Sequence, residues 1–307
     1  MEVTSPAQCL CSNTEQLNFT DNAVNVQYTA CLDPANLLGK GASSMVFKGT
    51  IKINGSARDI AIKVYDFPVR PKSDLKRRLY NKEINVMKLL SQKLPSYARP
   101  YIVNFYGQYQ ITDNRSVVCL ELLSRKTLES ILTPGLDSSF VIDILHQIAT
   151  AMTGCHQIGV THGDLKPDNI AYDETQKKIV LMDFNMGACD TRKLDISLGT
   201  PLYMAPEVLL CPYTQEPYSP HTADIWSFGQ IAFALMTGAN MFDKCANLSQ
   251  LISRIKRPIV PSSVLKNKCR SETIDTYSSV LRGLLLKNPE ERQSFCMTKR
   301  LLESLMF

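Results

Sequence analysis

Thr161-His162-Gly163-Asp164-Leu165-Lys166-Pro167-Asp168-Asn169 is the most informative stretch of this 307-residue chain. It places a carboxylate at Asp164, an ammonium group at Lys166 and a carboxamide at Asn169, all close together along the chain. Apolar segments lie on both sides, a helical pattern before the stretch and short strand patterns after it. A compact polar set between two apolar segments makes this stretch the candidate functional centre.

The composition is typical of an ordinary globular protein. Hydrophobic residues make up 44% and charged residues 21% of the chain, and its length suits one large domain or two lobes. The net charge of +5 is too small to indicate nucleic-acid binding. No apolar run approaches the roughly 18 residues of a membrane helix, and residues 1–6 lack the pattern of a signal peptide. We therefore expect neither a nucleic-acid partner nor a membrane segment.

Ten cysteines are scattered along the chain. Only Cys9 and Cys11 are closely spaced, and no second pair or histidine lies near them to complete a zinc site. We interpret the cysteines as reduced thiols of an intracellular protein, cytoplasmic, nuclear or both. The sequence leaves the oligomeric state open.

The amino-terminal third contains a glycine loop. Residues 1–30 are polar and without sustained periodicity, which predicts a flexible arm. The stretch Leu37–Val46 then carries Gly39 and Gly41 between two apolar strand patterns. Glycines let a backbone approach phosphates closely, although tight turns use them for their own reasons. A dinucleotide-binding fingerprint would need a helix next, whereas Met45-Val46-Phe47 continues as a strand.

A hairpin follows the glycine loop. The strand pattern of residues 51–53 leads into Asn54-Gly55, a strong hairpin signal, and residues 60–65 form the return strand. Period-two alternation puts Ile60, Ile62 and Val64 on the core face, and Lys63 on the other face. A lysine in such an apolar strand is normally a solvated edge residue.

A helix is predicted from about residue 73 to residue 90. Glu83 falls within its buried stripe, so the carboxylate needs a cation to offset its desolvation. Lys63 is the natural partner, and the alternative is an exposed glutamate on a charged helix. An irregular loop at 91–100 and strands at 102–110 and 116–123 follow.

The carboxy-terminal part is mainly helical. Periodic apolar residues predict a helix from Asp137 to Gln157, and Gly159 fits its end. Short strands are predicted at 170–172 and 179–182, the second leading to Asp183. A further helix begins near Asp224 and is apolar nearly all round.

Taken together, these motifs resemble those of the protein kinases. The central stretch resembles the catalytic loop H-R-D-x-K-x-x-N. Other stretches resemble the family's lysine, Asp-Phe-Gly and Ala-Pro-Glu motifs: Ala61-Ile62-Lys63, Asp183-Phe184-Asn185 and Ala205-Pro206-Glu207. The resemblance spans residues 39–292. It implies the α+β class and a bilobal protein kinase fold, with a small antiparallel-sheet N-lobe carrying one main helix (31–123) and a mainly helical C-lobe (124–307).

The resemblance also implies a function, ATP-dependent transfer of the γ-phosphoryl group to Ser or Thr hydroxyls of a protein substrate, with Mg²⁺ as cofactor. Asp164 would accept the hydroxyl proton and Lys166 would neutralise charge on the phosphoryl group. Lys63, held by Glu83, would grip the other phosphates. Magnesium would be held by Asn169 and Asp183. The remaining nucleotide-binding residues would be Gly39, Lys40, Gly41, Ala42, Ser43, Ser44, Val46, Ala61, Glu121 and Leu123.

Three structural contacts are implied in the same way. The Thr200 hydroxyl would brace Asp164 and Lys166. Glu207 would pair with a distant arginine, Arg292. Asp224 would hold the backbone of the catalytic loop from below.

Three residues depart from the family pattern: Ser44 and Asn185 replace glycines, and Gly163 replaces an arginine. Asn tolerates positive φ, so we expect the loop at Asn185 to keep its shape. The departures raise an alternative, a pseudokinase scaffold that binds nucleotide and partners without efficient transfer.

Gly163 also bears on regulation. It lacks the side chain that binds a phosphorylated residue in other kinases. We therefore hypothesise that phosphorylation at Thr191, Ser197 or Thr200 by an upstream kinase is not needed to assemble the site through such an arginine.

Within the family, four stretches resemble the branch of the T-cell-originated (PDZ-binding) protein kinases, relatives of the MAP kinase kinases. They are His162-Gly163-Asp164, Lys126-Thr127-Leu128, Ala223-Asp224-Ile225 and Arg257-Pro258. These relatives suggest dual specificity toward tyrosine, whereas Lys166 is typical of Ser/Thr kinases.

Overall fold

The computed structural model describes residues 15–21, 26–41, 43–67, 75–189, 199–257, 261–266, 269 and 271–306. The chain divides into two compact units. The amino-terminal unit consists of residues up to Ser91 together with Val103–Leu123, and the carboxy-terminal unit of Gln92–Ile102 together with the residues from Ser124 onward.

The amino-terminal unit is an antiparallel sheet with one long helix. Its strands are β1 Gln16–Asp21, β2 Val26–Cys31, β3 Leu37–Lys40, β4 Met45–Ile53, β5 Ser56–Asp66, β6 Phe105–Thr112 and β7 Arg115–Glu121, and its helix is α1 Leu75–Lys93. The strands are ordered β1-β2-β4-β5-β7-β6, and β3 also pairs with β4. An antiparallel sheet with one main helix is what the resemblance implies, whereas β1 and β2 were not predicted.

The β4–β5 hairpin turns at Asn54 and Gly55, with φ of 50° and 84°. Two consecutive positive φ values match the right-handed twist of the strands, which explains why Asn-Gly is favoured there. Both faces of β5 are buried over residues 60–65. Ile60, Ile62 and Val64 lie in one apolar cluster, and Tyr65 lies in a second cluster together with Tyr80 of α1. Lys63 therefore points to a face that is covered rather than solvated.

The predicted flexible arm of residues 1–30 is wrong for the part that the structure describes, because β1 and β2 are strands of the sheet. Leu17, Phe19 and Tyr28 are buried. The sheet curls until its two ends meet, and the Tyr109 hydroxyl of β6 lies 2.8 Å from the Tyr28 hydroxyl of β2. The apolar residues of these short strands alternate with polar ones, and the residues that bury them lie far along the chain.

The carboxy-terminal unit is built around α3 Ser138–Gln157, most of whose residues are buried. Its other elements are β8 Ile170–Asp173, β9 Lys178–Leu181 and the helices α2 Leu128–Ile131, α4 Pro206–Thr214, α5 Pro220–Thr237, α6 Leu248–Ile255, α7 Pro261–Leu265, α8 Ser271–Leu284 and α9 Phe295–Ser304. The predicted helix 137–157 is confirmed, with the Asp137 side chain as N-cap and Gly159 at φ 75° just beyond its end. The α+β class is confirmed as well.

Residues 92–102 belong to this second unit, whereas the predicted N-lobe, residues 31–123, included them. A Cβ at Gly154 of α3 would lie only 2.4 Å from the Cβ of Ala98. Ile102 forms a parallel bridge with Leu181 of β9. The segment therefore packs closely on α3 and β9, a tertiary contact that no local sequence pattern predicts.

Among the described helices, none combines the length and the apolar character needed to cross a membrane.

Candidate active site

The central polar stretch is held in place by Asp224, a buried residue of α5. Asp224 Oδ2 accepts from the His162 N–H at 2.9 Å, and Oδ1 accepts from the Gly163 N–H at 3.0 Å. His156 Nε2 of α3 lies 3.1 Å from Oδ2. Burial raises the pKa of the Asp224 carboxyl, but His156 and the backbone donor outweigh burial, so the net pKa lies below its usual value. An ionised carboxylate thus fixes the loop backbone, as predicted.

Gly163 has a backbone conformation that favours glycine. Its φ is 78°, in the left-handed region that L-residues adopt at a cost of ~1–2 kcal/mol. A Cβ at this position would lie 2.4 Å from the carbonyl oxygen of Met186. The absence of a side chain thus lets the catalytic-loop stretch and the segment after Asp183 approach each other closely.

Replacing Gly163 with Ala is expected to lower both stability and turnover. The positive φ alone should reduce the free energy of unfolding by ~1–2 kcal/mol, and the contact with Met186 forces a further shift of the backbone next to Asp164. Gly135 is a matched control, since its φ is 81° but its Cβ would meet no atom within 4 Å. Thermal unfolding and steady-state turnover of Gly163→Ala and Gly135→Ala give the comparison. Equal losses in both variants would contradict the importance of this contact.

Asp164 is held by three neighbours. Lys166 Nζ lies 2.9 Å from Asp164 Oδ2, and the Thr200 N–H donates to Oδ1 at 3.0 Å. The Asn169 amide donates to the Asp164 carbonyl oxygen at 2.9 Å. The Thr200 hydroxyl in turn accepts from Lys166 Nζ at 2.7 Å. Both oxygens of Asp164 are therefore oriented. The Thr200 hydroxyl contacts Lys166 as predicted, whereas Asp164 is bound by the Thr200 backbone N–H and not by the hydroxyl.

Asp183 follows β9 and lies beside this set. The N–H of Met182 donates to the Asn169 carbonyl oxygen at 3.0 Å, and Phe184 is fully buried with its ring 4.6 Å from that of His162. Asn185 was expected to keep the shape of the loop because Asn tolerates a positive φ, and this reason is wrong. The positive φ of 65° falls on Asp183, whereas Asn185 lies in the 3-10 turn Phe184–Met186.

The residues present fit a magnesium site. Asp183 would supply carboxylate oxygens and Asn169 an amide oxygen, the hard ligands that Mg²⁺ prefers. The Asn169 amide nitrogen donates to Asp164, which fixes the orientation of the amide plane. Mg²⁺ is usually bound by one or two such side chains together with substrate phosphates, so two protein ligands suffice.

In the amino-terminal unit, Lys63 and Glu83 form the predicted ion pair. Lys63 Nζ lies 2.8 Å from Glu83 Oε1, and the two side chains are 7% and 1% exposed. The alternative of an exposed glutamate is therefore wrong. Sequence reasoning missed a third member, Tyr65, whose hydroxyl donates to Glu83 Oε2. The signal was available, since residues two apart on a strand share one face.

The glycine loop lies beside Lys63. Gly39 and Lys40 belong to β3, the Gly41 N–H donates to the Ser44 carbonyl at 2.9 Å, and Val46 pairs with Lys63. Ser43 and Ser44 are buried, and Ala61 pairs with Leu120 on the neighbouring strand. The prediction for Ala42 falls outside the described residues.

The segment at Glu121 restricts the predicted nucleotide contact. The Glu121 N–H donates to the Asn104 carbonyl at 2.9 Å, and its carboxylate accepts from the Asn104 side chain at 2.8 Å. The N–H and the carboxylate of Glu121 therefore both have partners within the amino-terminal unit.

Comparison with known families agrees with this geometry. The model of the protein kinase domain matches residues 33–304. The chain belongs to the protein kinase family. The antiparallel sheet with its helix and the mainly helical second unit are accordingly the N-lobe and C-lobe of a kinase.

Several curated kinases are similar to the chain. Serine/threonine-protein kinase 36 of Pongo abelii is 31% identical over 84% of the chain and 18% of its own length. The probable serine/threonine-protein kinase KCC4 of Saccharomyces cerevisiae is 33% identical over 57% of the chain and 16% of its own length. A probable LIM domain-containing serine/threonine-protein kinase of Dictyostelium discoideum is 27% identical over 88% of the chain and 39% of its own length.

The chain thus spans less than half the length of each of these relatives. They do not bear on the closer resemblance to the T-cell-originated protein kinases, which stays a prediction.

One more contact lies at the end of the activation segment, the stretch that leads from Asp183 to the Ala205-Pro206-Glu207 motif. Arg292 forms two parallel hydrogen bonds with Glu207, at 2.6 and 2.8 Å. The Arg292 side chain is 0% exposed. The pair that the resemblance implies is therefore present, although 85 residues separate its members.

Proposed function

We propose that the protein transfers the γ-phosphoryl group of ATP to Ser or Thr hydroxyls of a protein substrate. The observation that carries the proposal is the arrangement around Asp164. Both of its oxygens are oriented by hydrogen bonds and a cation, so one carboxylate is positioned to receive a hydroxyl proton.

The transfer forms one bond, breaks one bond and moves one proton. The substrate hydroxyl oxygen forms a bond to the γ-phosphorus, the bond between that phosphorus and the β–γ bridging oxygen breaks, and Asp164 accepts the hydroxyl proton. ADP leaves with the bonding electrons. Lys166 lies 2.9 Å from Asp164, and its positive charge would neutralise charge on the transferring phosphoryl group.

Phosphate and metal binding are assigned to five parts of the chain that the family resemblance implies. Lys63, held by Glu83, would bind the α- and β-phosphates, and the glycine loop would cover them with backbone N–H groups. Asn169 and Asp183 would hold magnesium, which when bound neutralises charge on the phosphates. The main contribution of these residues is positioning and charge stabilisation.

The test is radiolabelled-ATP transfer to a generic basic protein, followed by peptide arrays with Ser, Thr and Tyr acceptors. Transfer to Ser or Thr supports the proposal, and additional transfer to Tyr establishes dual specificity. A thermal shift with nucleotide and magnesium, run in parallel, separates the pseudokinase alternative. A shift without any transfer would support the scaffold and overturn the proposed activity.

Turnover is expected to survive removal of phosphate from the activation segment. Gly163 has no side chain to pair with a phosphorylated residue, and the Thr200 hydroxyl is already bonded to Lys166. Thr191 and Ser197, the other two candidates, lie outside the described residues. The measurement is turnover before and after phosphatase treatment. A large loss that alanine at Thr191 or Ser197 reproduces would contradict the hypothesis.

A further inference from the structure

Tyr65 lies two residues after Lys63 on β5, on the same face of the strand. Its side chain is completely buried, and its hydroxyl donates to Glu83 Oε2 while Lys63 binds Oε1. The two oxygens of the Glu83 carboxylate are thus held by two different residues of one strand. Burial, reinforced by the Glu83 charge, raises the pKa of the Tyr65 hydroxyl, so it remains a donor.

We propose that Tyr65 is a positioning residue, which fixes the Glu83 carboxylate of α1 in the orientation that holds Lys63. The inference rests on the proposed function for its catalytic consequence, but the positioning itself does not require phosphoryl transfer. Lys63 alone would leave the carboxylate free to rotate about its single ion pair. The second bond removes that freedom and ties α1 to β5.

Burial makes the hydrogen bond from Tyr65 energetically important. Glu83 is almost inaccessible to water, so no water molecule could replace the Tyr65 hydroxyl as the donor to Oε2. An unsatisfied buried acceptor is costly, and hydrogen bonds to charged groups are the strongest of their kind. The carboxylate would then leave this orientation part of the time, and the ion pair between Glu83 and Lys63 would be broken during that time.

Tyr65 also packs in an aromatic cluster, which offers a purely structural explanation for its burial. Its ring lies 5.1 Å from that of Tyr80 and 6.4 Å from that of Phe67. Tyr80 provides a matched control, because it belongs to the same cluster and its hydroxyl contacts Gln108 rather than Glu83. Both Tyr→Phe variants keep the ring and remove one hydroxyl.

The kinetic experiment compares kcat/KM for ATP in Tyr65→Phe and Tyr80→Phe. We expect about a tenfold loss for Tyr65→Phe, the effect of one hydrogen bond to a charged group, and little change for Tyr80→Phe. In a Glu83→Gln background, Tyr65→Phe should cause no comparable further loss. An equal loss in both backgrounds would show that Tyr65 acts through packing and would overturn the proposal.

A second readout works without catalysis. Hydrogen exchange of residues 79–90 of α1 in the unliganded protein should be faster in Tyr65→Phe, and this increase should disappear in the Glu83→Gln background. If this coupling were seen in a protein that transfers no phosphate, the coupling would support the positioning role, and the missing transfer would reject the proposed function. Transfer in the wild type without coupling in either readout would reject the positioning role alone.

Discussion

Lys63→Met is expected to abolish phosphoryl transfer while the protein remains folded. The substitution removes the ammonium group from the face of β5 beside the glycine loop, and Met retains much of the apolar stem. Loss of one preorganised charge at the reacting phosphates should lower turnover by a factor of ~100 or more. Glu83 loses its cation but keeps the hydroxyl of Tyr65, so stability should fall by ~3 kcal/mol rather than collapse.

Asp183→Asn tests the same assignment from the other unit. Asn has nearly the same shape as Asp but carries no charge for a metal ion, so transfer should be lost with little change in thermal stability. Turnover at saturating magnesium and circular dichroism are the measurements for both variants.

Lys48→Met is the matched control for Lys63→Met. Lys48 lies on the neighbouring strand, pairs with Asp59 at 2.7 Å and is 46% exposed. Exposed ion pairs of this kind contribute ~0.2–1 kcal/mol, and we expect unchanged turnover. Undiminished activity in Lys63→Met or Asp183→Asn would refute the proposed roles, whereas parallel losses in Lys48→Met would indicate a general effect on the sheet.

The parts of the site that could be predicted from the sequence are those with a strong local signal. Asn54-Gly55 specifies its hairpin through two positive φ values. Glu83 on an apolar helix stripe required a cation, and Lys63 was the charge on the facing strand. The Glu207–Arg292 pair carried no local signal at all, and only the resemblance to kinases predicted it.

The features that sequence reasoning missed depend on distant contacts. Strand β1 is stable because Leu17 and Phe19 are buried against a sheet that curls back over them. Tyr65 shares a face of its strand with Lys63, which the alternation pattern does indicate, but the atom that its hydroxyl reaches lies on a helix 18 residues further on. For Asn185, the positive φ belonged to a different residue of the same turn.

The geometry of Gly163 adds a second consequence to the one that the sequence suggests. In the sequence, Gly163 replaces an arginine, which bears on the need for phosphorylation. In the structure it is also the position at which the backbone of Met186 approaches the catalytic loop. Gly163 thus lacks the positive charge of an arginine and also allows Met186 to come close. The Gly163→Ala variant tests only the close contact.

Arg292→Leu is expected to cause the largest loss of stability. The guanidinium group binds both oxygens of Glu207, and it also donates to the carbonyl oxygens of Leu286 and Thr222, each at 2.8 Å. Leu fills part of the volume but leaves the Glu207 carboxylate without its cation. Breaking a buried pair from one side costs ~3–5 kcal/mol, which corresponds to a fall of roughly 10 °C in melting temperature.

Three further variants separate the causes of this loss. Arg300→Leu, at an exposed position of α9, should change stability by less than ~0.5 kcal/mol. Arg292→Lys keeps the charge but loses the planar fork, so an intermediate loss is expected. Adding Glu207→Gln to Arg292→Leu should recover part of the stability, because an amide is cheaper to leave unpaired than a carboxylate.

The same substitution should also reduce turnover at temperatures where the variant is folded. Glu207 lies in the first turn of α4, a few residues after Thr200, which holds Asp164 and Lys166. Loosening α4 therefore loosens the support of the catalytic carboxylate. If Arg292→Leu melted at the same temperature as Arg300→Leu, the buried pair would not be the stabilising contact inferred here. If it melted earlier but kept full turnover below that temperature, α4 would not transmit the change to Thr200.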